Sequence, residues 1–207
     1  NQMASQLKLL VKEQEIEAQR EKLKADITLN IRKSLRIEDI YKTAVREIRQ
    51  ALKTDRVVVY EFNPETWDGK VNAGFPKMMG AYIEDPCFRE RQVKMYKNGR
   101  VRAISNIYED AGLKKAACYV KMLEQFAVQA NLVAPILVED NLMGLLIAHN
   151  CESPREWQQQ EIDLFKQLAI QVGFAVEQAK LLEKVDKARV VAQSDSEEER
   201  QQKEELQ

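Results

Sequence analysis

The 207-residue chain has little of what catalytic and metal sites are usually built from. It contains one histidine, His149, together with three cysteines and seven glycines. A single histidine excludes histidine-rich metal sites, and any Ser-His-Asp or Cys-His device would depend on His149 alone. The chain also has no glycine-rich phosphate-binding loop. We therefore expect a protein that is not an enzyme and that holds no metal.

An excess of charge of one sign and long apolar runs are lacking as well. The 32 Lys and Arg against 33 Asp and Glu leave a net charge of -1, so no overall field attracts nucleic acid or an anionic membrane. The longest apolar run, 142–148, has the length of a strand and falls far short of the roughly 18 residues that a membrane span requires. Three cysteines, an odd number without paired spacing, argue against a disulfide framework and favour a reducing compartment. We expect a cytoplasmic protein, part of a longer and membrane-anchored receptor, with no span in this stretch.

Both ends of the chain have the pattern of long helices. Residues 1–36 carry no Gly or Pro, and thin apolar spacing predicts half of a coiled coil, with Leu9, Ile16, Leu23, Ile27 and Ile31 as its seam. A second long helix is predicted from about Arg155 to beyond Val185, since its apolar residues keep a helical period for about six turns. The charged tail, 184–207, continues it as a linker helix. Helices at both ends indicate a homodimer that transmits a signal through one domain.

Between these helices, residues 37–183 indicate an α+β domain with an antiparallel sheet. A helix with one apolar face is predicted over Ile37 to Leu52, and β-branched residues predict a strand over Arg56 to Phe62. A short strand around Val71 pairs back on it. Continuous apolar runs before and after Glu139 predict a hairpin at the centre of the sheet. Residues 74–113 form a long loop, which is where ligands commonly lie.

The cysteines differ in their surroundings. Cys87 lies in the tetrapeptide Asp85-Pro86-Cys87-Phe88, between charges and beside a proline, which is a poor place for a core residue. Cys118 lies near the first turn of a predicted helix and has apolar neighbours, so both a core position and a functional one stay open. Cys151, at the end of a buried strand, reads as a small core residue.

Seven segments resemble a GAF domain and, more narrowly, the cyanobacteriochromes with an Asp-x-Cys-Phe motif that occur in PixJ-like phototaxis receptors. The resemblance extends from about Ile40 to Leu182, and its segments are residues 55–60, 74–76, 84–90, 96–101, 106–108, 131–136 and 144–149. Residues 197–204 resemble the linker before a HAMP and methyl-accepting signalling region. The resemblance implies a photosensory module that binds a linear tetrapyrrole and relays light-driven isomerisation to such an output.

The same resemblance assigns the thiols. Cys118 would be the primary attachment point for phycocyanobilin or phycoviolobilin, and Cys87 would add reversibly to the central methine bridge. Asp85 would hold the pyrrole nitrogens. The chemistry suits these residue types, because a thioether needs a thiolate and a protonated tetrapyrrole needs a carboxylate.

Three further positions follow from it. Arg100 would pair with a propionate, for which the planar donor fork of arginine is suited. His149 would face ring D. Tyr119 occupies the place where the family usually has histidine, and its ring can stack on the chromophore.

Two rival functions remain beside the photoreceptor. The segment from Val71 to Gly74 is about five residues shorter than in that family, which favours a chromophore-free GAF domain that serves relay and dimerisation. A GAF sensor for another small ligand is the third hypothesis. The Asp85 to Phe88 motif and His149 favour the photoreceptor.

Overall fold

A five-stranded antiparallel sheet forms the centre of the computed structural model, which describes residues 2–62, 69–75 and 90–205. The strands are β1 Arg56–Phe62, β2 Gly69–Phe75, β3 Arg102–Ile104, β4 Ala130–Val138 and β5 Asn141–Asn150. Their order in the sheet is β2-β1-β5-β4-β3. The predicted strand Arg56 to Phe62 and the predicted central hairpin are thus confirmed. The hairpin loop is tighter than expected, because Asn141 already pairs with Val138 and Glu139 takes a left-handed φ of 53°.

Three helices cover one face of this sheet: α1 Gln2–Lys33, α2 Ile37–Leu52 and α5 Gln159–Glu205. The bounds of α2 match the prediction, and its buried residues lie on one side of the helix. Aliphatic side chains from these helices and from alternate strand positions form the larger core, which includes Ile31, Ile48, Leu146, Phe165 and Val172. Helix α5 crosses β4 closely at Gly173, where an added Cβ would lie 2.9 Å from the carbonyl oxygen of Leu137. We call this side of the sheet the helix face.

Two short helices lie over the opposite face, α3 Glu90–Lys97 and α4 Ala117–Gln125. The core on this side is smaller and includes Tyr60, Tyr96, Ile107, Leu123 and Ile147. Successive strand residues point to opposite faces, so one strand supplies both cores. We call this side the cavity face.

Strand β2 is longer than the sequence indicated. It pairs with β1 from Val57 opposite Phe75 to Phe62 opposite Gly69, with an irregularity at Val59 and Tyr60. The expected short strand around Val71 is therefore a strand of seven residues, and the short sequence there leaves this edge of the sheet fully paired with β1.

Helix α5 begins at Gln159, four residues after the predicted start. The backbone N–H of Arg155 instead donates to the carbonyl oxygen of Ser105 at 2.9 Å, and the Trp157 indole donates to that of Ile104 at 3.1 Å. The side chain of Glu161 accepts a hydrogen bond from the backbone N–H of Gln158 at 3.0 Å, which caps the helix there. Residues 155–157 are thus hydrogen-bonded to the end of β3, and the helix begins only after them.

Both terminal helices extend beyond the domain. Residues 2–23 of α1 and 180–204 of α5 are all exposed, which corresponds to arms of about 33 and 37 Å at the rise of an α-helix. The predicted continuation of the second helix into the charged tail is confirmed as far as Glu205. Across the residues that the structure describes, no helix combines the length and the apolar character that crossing a membrane needs.

Candidate functional site

A cavity of about 490 Å³ lies on the cavity face, between α3, β3 and the start of α4. Its volume is within the range of small-molecule sites. The described residues that line it are Gln92, Met95, Tyr96, Arg100, Arg102, Gly112, Leu113, Lys115, Ala116, Cys118 and Tyr119. The described lining thus combines aromatic and aliphatic side chains with long cationic ones, which suits a ligand that is partly apolar and carries negative charge.

The charge of this lining is of one sign. Arg100, Arg102 and Lys115 contribute to it, and none of the described lining residues is acidic. Just outside the lining, Asp110 pairs with Arg102 at 3.2 Å, which fixes the guanidinium beside Gly112. A Cβ at Gly112 would lie 2.9 Å from Arg102 Nη2, so glycine keeps this approach open. Cations held in this way suit carboxylate groups on a ligand.

Cys118 is one of the residues that line the cavity. It is exposed, in the first turn of α4, and so the question left open by the sequence is decided against a core position. Its sulfur is in a disulfide bond, although the odd cysteine count had argued against such pairing. Cys151 is a half-buried free thiol, and burial raises its pKa.

Tyr119 lines the cavity and is hydrogen-bonded to Asn131 on strand β4. Its hydroxyl accepts a hydrogen bond from Asn131 Nδ2 at 3.1 Å, and burial raises the pKa of the phenol. Asn131 is fully buried on β4, and its Oδ1 has no hydrogen-bond partner within the described part of the chain. A buried carbonyl oxygen of this kind is costly to leave unpaired, so it marks a place where a ligand N–H would be stabilised.

His149 lies on strand β5, next to Asn131 in the sheet. It is opposite Asn131 on β4 and opposite Arg56 on β1, and it is fully buried. Arg56 Nε donates to His149 Nδ1 at 3.1 Å, while Thr54 Oγ1 donates to the His149 carbonyl oxygen at 2.7 Å. Burial, with the nearby Arg56 charge, lowers the pKa of His149 to about 3. The imidazole is therefore neutral throughout the physiological range.

The structure brings three of the six predicted site residues, Arg100, Cys118 and Tyr119, around one cavity. His149 is on the same face of the sheet but is not among the lining residues. Cys87 and Asp85 lie outside the described residues. Sequence reasoning missed Arg102, Lys115 and Asn131; the two-residue spacing of Arg100 and Arg102 was a signal for the first, whereas nothing in the local sequence marked the others.

The family comparison matches residues 36–176 to the GAF domain. The chain belongs to the GAF family. The expected α+β fold, an antiparallel sheet flanked by helices with long helices at both ends, is that of this GAF domain. A methyl-accepting chemotaxis protein of Synechocystis is 47% identical over 178 residues, which cover 84% of this chain but only 17% of that relative.

Solved GAF structures are similar as well. The blue-light-absorbing form of the Thermosynechococcus elongatus PixJ GAF domain is 38% identical with a TM-score of 0.63, covering 73% of this chain and 91% of its own. The phycoerythrobilin-bound GAF domain of a cyanobacterial phytochrome is 27% identical with a TM-score of 0.66, covering 79% and 97%. The GAF domain described here thus resembles bilin-binding cyanobacteriochromes and a chemotaxis protein.

Proposed function

We propose that this GAF domain is a photosensory module of the Asp-x-Cys-Phe type, which binds phycocyanobilin or phycoviolobilin covalently and relays light-driven isomerisation to a methyl-accepting output. The observation that carries the proposal is an exposed Cys118 in the lining of a cavity of about 490 Å³, whose described lining holds three cations and no carboxylate. Domain bounds of 37–183, with linker helices on either side, belong to the same proposal, as does a cytoplasmic place in a longer receptor.

The residues present fit a linear tetrapyrrole. Arg100 and Arg102 would hold its two propionates, and Lys115 is a third cation in the lining. The unpartnered Oδ1 of Asn131 provides a buried acceptor for an N–H group. When bound, the tetrapyrrole supplies light absorption and a double bond that isomerises; the protein supplies attachment, orientation and exclusion of water.

Each chain residue then has a defined task. Once a thiol reductant has cleaved its disulfide, Cys118 would form the thioether by adding its S–H across a double bond of the tetrapyrrole, with no leaving group, and the Tyr119 ring would stack beside that linkage. His149 provides a neutral imidazole on the cavity face. Cys87, as the second thiol, and Asp85, as the partner of the pyrrole nitrogens, remain predictions from the motif.

The output is relayed through the terminal arms. A single helix with solvent on every side is marginal in water, so the arms of α1 and α5 need a partner. Exposed apolar residues lie on the outer side of α5, opposite its buried side, at Phe174, Leu181 and Val185. On α1, Leu9, Ile16 and Leu23 repeat every seven residues and continue the side that is buried at Ile27. A second copy of the chain that pairs with these stripes gives a homodimer whose arms lead to the HAMP and methyl-accepting region.

Coexpression with a phycocyanobilin-producing pathway tests the attachment. Protein purified under reducing conditions should give a zinc-induced fluorescent band on a denaturing gel. Cys118→Ala should abolish the band, and Cys151→Ala is the matched control because it removes a thiol that lies outside the cavity. Absence of the band from folded wild-type protein would reject the photoreceptor.

The rival is a chromophore-free GAF domain that serves relay and dimerisation only. The disulfide at Cys118 and the tyrosine at position 119 are the observations that favour it. It predicts that neither Cys118 nor Cys87 reacts with bilin, even after reduction, while the protein still dimerises. Light scattering on the apoprotein tests that dimer separately, with Leu181→Glu as the disrupting variant and Ser194→Glu, on the opposite side of the exposed part of α5, as the charge-matched control.

A further inference from the structure

The side chain of Arg56 donates a hydrogen bond to one ring nitrogen of His149, the only histidine in the sequence. Arg56 and His149 are directly opposed on the antiparallel strands β1 and β5, so their side chains lie on the same face of the sheet. That face is the cavity face, because Val58 and Ile147, two positions away on each strand, belong to its core. The guanidinium Nε donates to His149 Nδ1 at 3.1 Å.

Arg56 is itself held from a second direction. Its Nη2 donates to the carbonyl oxygen of Phe126 at 2.7 Å, and Phe126 ends α4, the helix that carries Cys118 in its first turn. A cation at the carboxyl end of a helix is favourably placed with respect to the helix dipole. The guanidinium therefore bridges the end of α4 and the ring of His149, and it cannot turn away from either without losing a partly buried hydrogen bond.

This arrangement decides where the proton of His149 resides. A neutral imidazole carries one N–H, and a nitrogen that accepts a hydrogen bond cannot be the one that carries it. With Nδ1 accepting from Arg56, the proton lies on Nε2. A second proton, on Nδ1, would set two N–H groups and two positive charges against each other in a site without solvent. The backbone of His149 is fixed too, since Thr54 Oγ1 and the Asp55 N–H both donate to its carbonyl oxygen.

We propose that Arg56 is a positioning residue: by occupying Nδ1 it holds His149 as a neutral Nε2–H donor on the cavity face and couples that donor to the end of α4. This role deepens the proposed function, on which it rests, because an Nε2–H donor serves a carbonyl acceptor of the ligand and not a carboxylic acid or an N–H group. Arg56 acts through His149 and need not touch the ligand.

The protein offers a direct test, since it has only one histidine. In apoprotein labelled with ¹⁵N-histidine, two-bond ¹H–¹⁵N correlation spectra report which ring nitrogen carries the proton. We expect one set of signals, with Nε2 protonated and Nδ1 unprotonated, unchanged from pH 8 to pH 5. The Nδ1–H tautomer, a mixture of tautomers, or titration within this range would overturn the proposal, whether or not the protein binds bilin.

Variants separate positioning from general structural support. Arg56→Gln removes the charge at Nδ1, and the protonation midpoint of His149 should rise by about one pH unit or more, with a changed Nδ1 signal. Arg46→Gln, on the exposed side of α2, is the charge-matched control and should change neither. Identical histidine signals in Arg56→Gln and wild type would refute the positioning role. If Arg56→Gln does not fold, the wild-type tautomer and its pH range still decide.

In bilin-loaded protein, Arg56→Gln should retain the zinc-fluorescent band but shift the absorption maximum and reduce the photoconverted fraction. Loss of the band in wild type would count against the proposed function and leave the tautomer result standing. A retained band with unchanged spectra would reject the coupling to the ligand.

Discussion

The two faces of the sheet use the same five strands for different purposes. On the helix face, α1, α2 and α5 close over aliphatic side chains, and the core is continuous. On the cavity face, two short helices leave 490 Å³ open. Among the described residues, three polar side chains are buried, and two of them, Asn131 and His149, are on the cavity face. The fold is thus secured on one side, which allows the other to keep a cavity and buried polar groups.

Strand β5 contains the clearest test of this difference. Leu145 and Leu146 are neighbours, both nearly fully buried, and point to opposite faces. Leu146→Ala leaves a void among packed helices and should lower the free energy of unfolding by about 3 kcal/mol. Leu145→Ala lies on the side with an existing cavity, where neighbours relax more easily, and should cost about 2 kcal/mol. Urea titration of both variants measures the difference.

The two variants, Leu145→Ala and Leu146→Ala, should rank in the opposite order in their effect on the absorption of the bound bilin. Leu145→Ala should alter the absorption of bilin-loaded protein, whereas Leu146→Ala should leave it as in wild type. If the two variants lost equal stability and changed the spectrum equally, the division between a structural face and a functional face would be wrong.

Low pH should lower the free energy of unfolding, because it protonates His149 on the cavity face. The pKa of His149 is lowered from 6.5 to about 3 on folding, so between these values the unfolded chain binds a proton that the folded chain does not. The stability due to the neutral ring is complete above about pH 6.5 and is lost as the pH falls, by about 1.4 kcal/mol per unit, or about 2 kcal/mol at pH 5.

Unfolding in urea at pH 7.5 and pH 5 checks this, with His149→Gln as the comparison. The variant should lose less stability than wild type over the same interval, because carboxylates contribute equally to both. Equal losses would mean that the ring is protonated in the folded protein and that the buried donor is misassigned.

A third prediction concerns the edge where the two faces meet. Trp157 packs in the core of the helix face but donates its indole N–H to Ile104, whose side chain belongs to the core of the cavity face. Trp157→Phe keeps most of the buried area and removes the hydrogen bond, at a cost of about 1 kcal/mol. Because β3 also carries Arg102, the variant should further lower the bilin fluorescence of the loaded protein, measured under native conditions.

Arg155→Met is the companion to Trp157→Phe. Arg155 Nη2 donates to the carbonyl oxygen of Leu52 at 2.7 Å and pairs with Glu161 at 2.6 Å, and its guanidinium lies over the Trp157 ring. It should lose similar stability without changing the bilin signal, since none of these partners is in β3. A bilin effect as large as that of Trp157→Phe would place the coupling in the α5 start and not in β3.

Periodicity predicted the helix face far better than the cavity face. The bounds of α2 and β1 could be read from the sequence because burial against a continuous core imposes strict spacing on helices and strands. The start of α5 could not, because Arg155 and Trp157 are fixed by the carbonyl groups of Ser105 and Ile104, at the end of β3 and just after it. Such hydrogen bonds depend on tertiary structure, and local pattern does not encode them.

The site divides in the same way. The resemblance to cyanobacteriochrome GAF domains predicted site positions for Cys118, Tyr119 and Arg100. Such a resemblance indicates which residues lie near one another in the folded domain, which the residue types alone do not. Asn131 lies within an apolar run and reads locally as a strand residue; its role follows only from its burial and from the hydroxyl of Tyr119 beside it. Arg56 was visible as part of a motif, but its contact with His149 required the register of β1 and β5.

The smallest expected effect is at the boundary between cavity and sheet. Tyr119→Phe removes the hydroxyl that accepts from Asn131 Nδ2, which inside a dry core would leave a costly unpaired donor. Here the ring lies against an open cavity that can admit water, so we expect a loss of only about 0.5 kcal/mol in urea titration. Asn131→Leu, which removes donor and acceptor together, should by contrast leave stability nearly unchanged but impair bilin binding, because the acceptor at Oδ1 is lost. A loss of 2 kcal/mol or more in the free energy of unfolding of Tyr119→Phe would contradict this expectation. The cavity face would then be as tightly packed around Asn131 as the helix face is around Leu146, and the difference in packing between the two faces would not extend to the sheet itself.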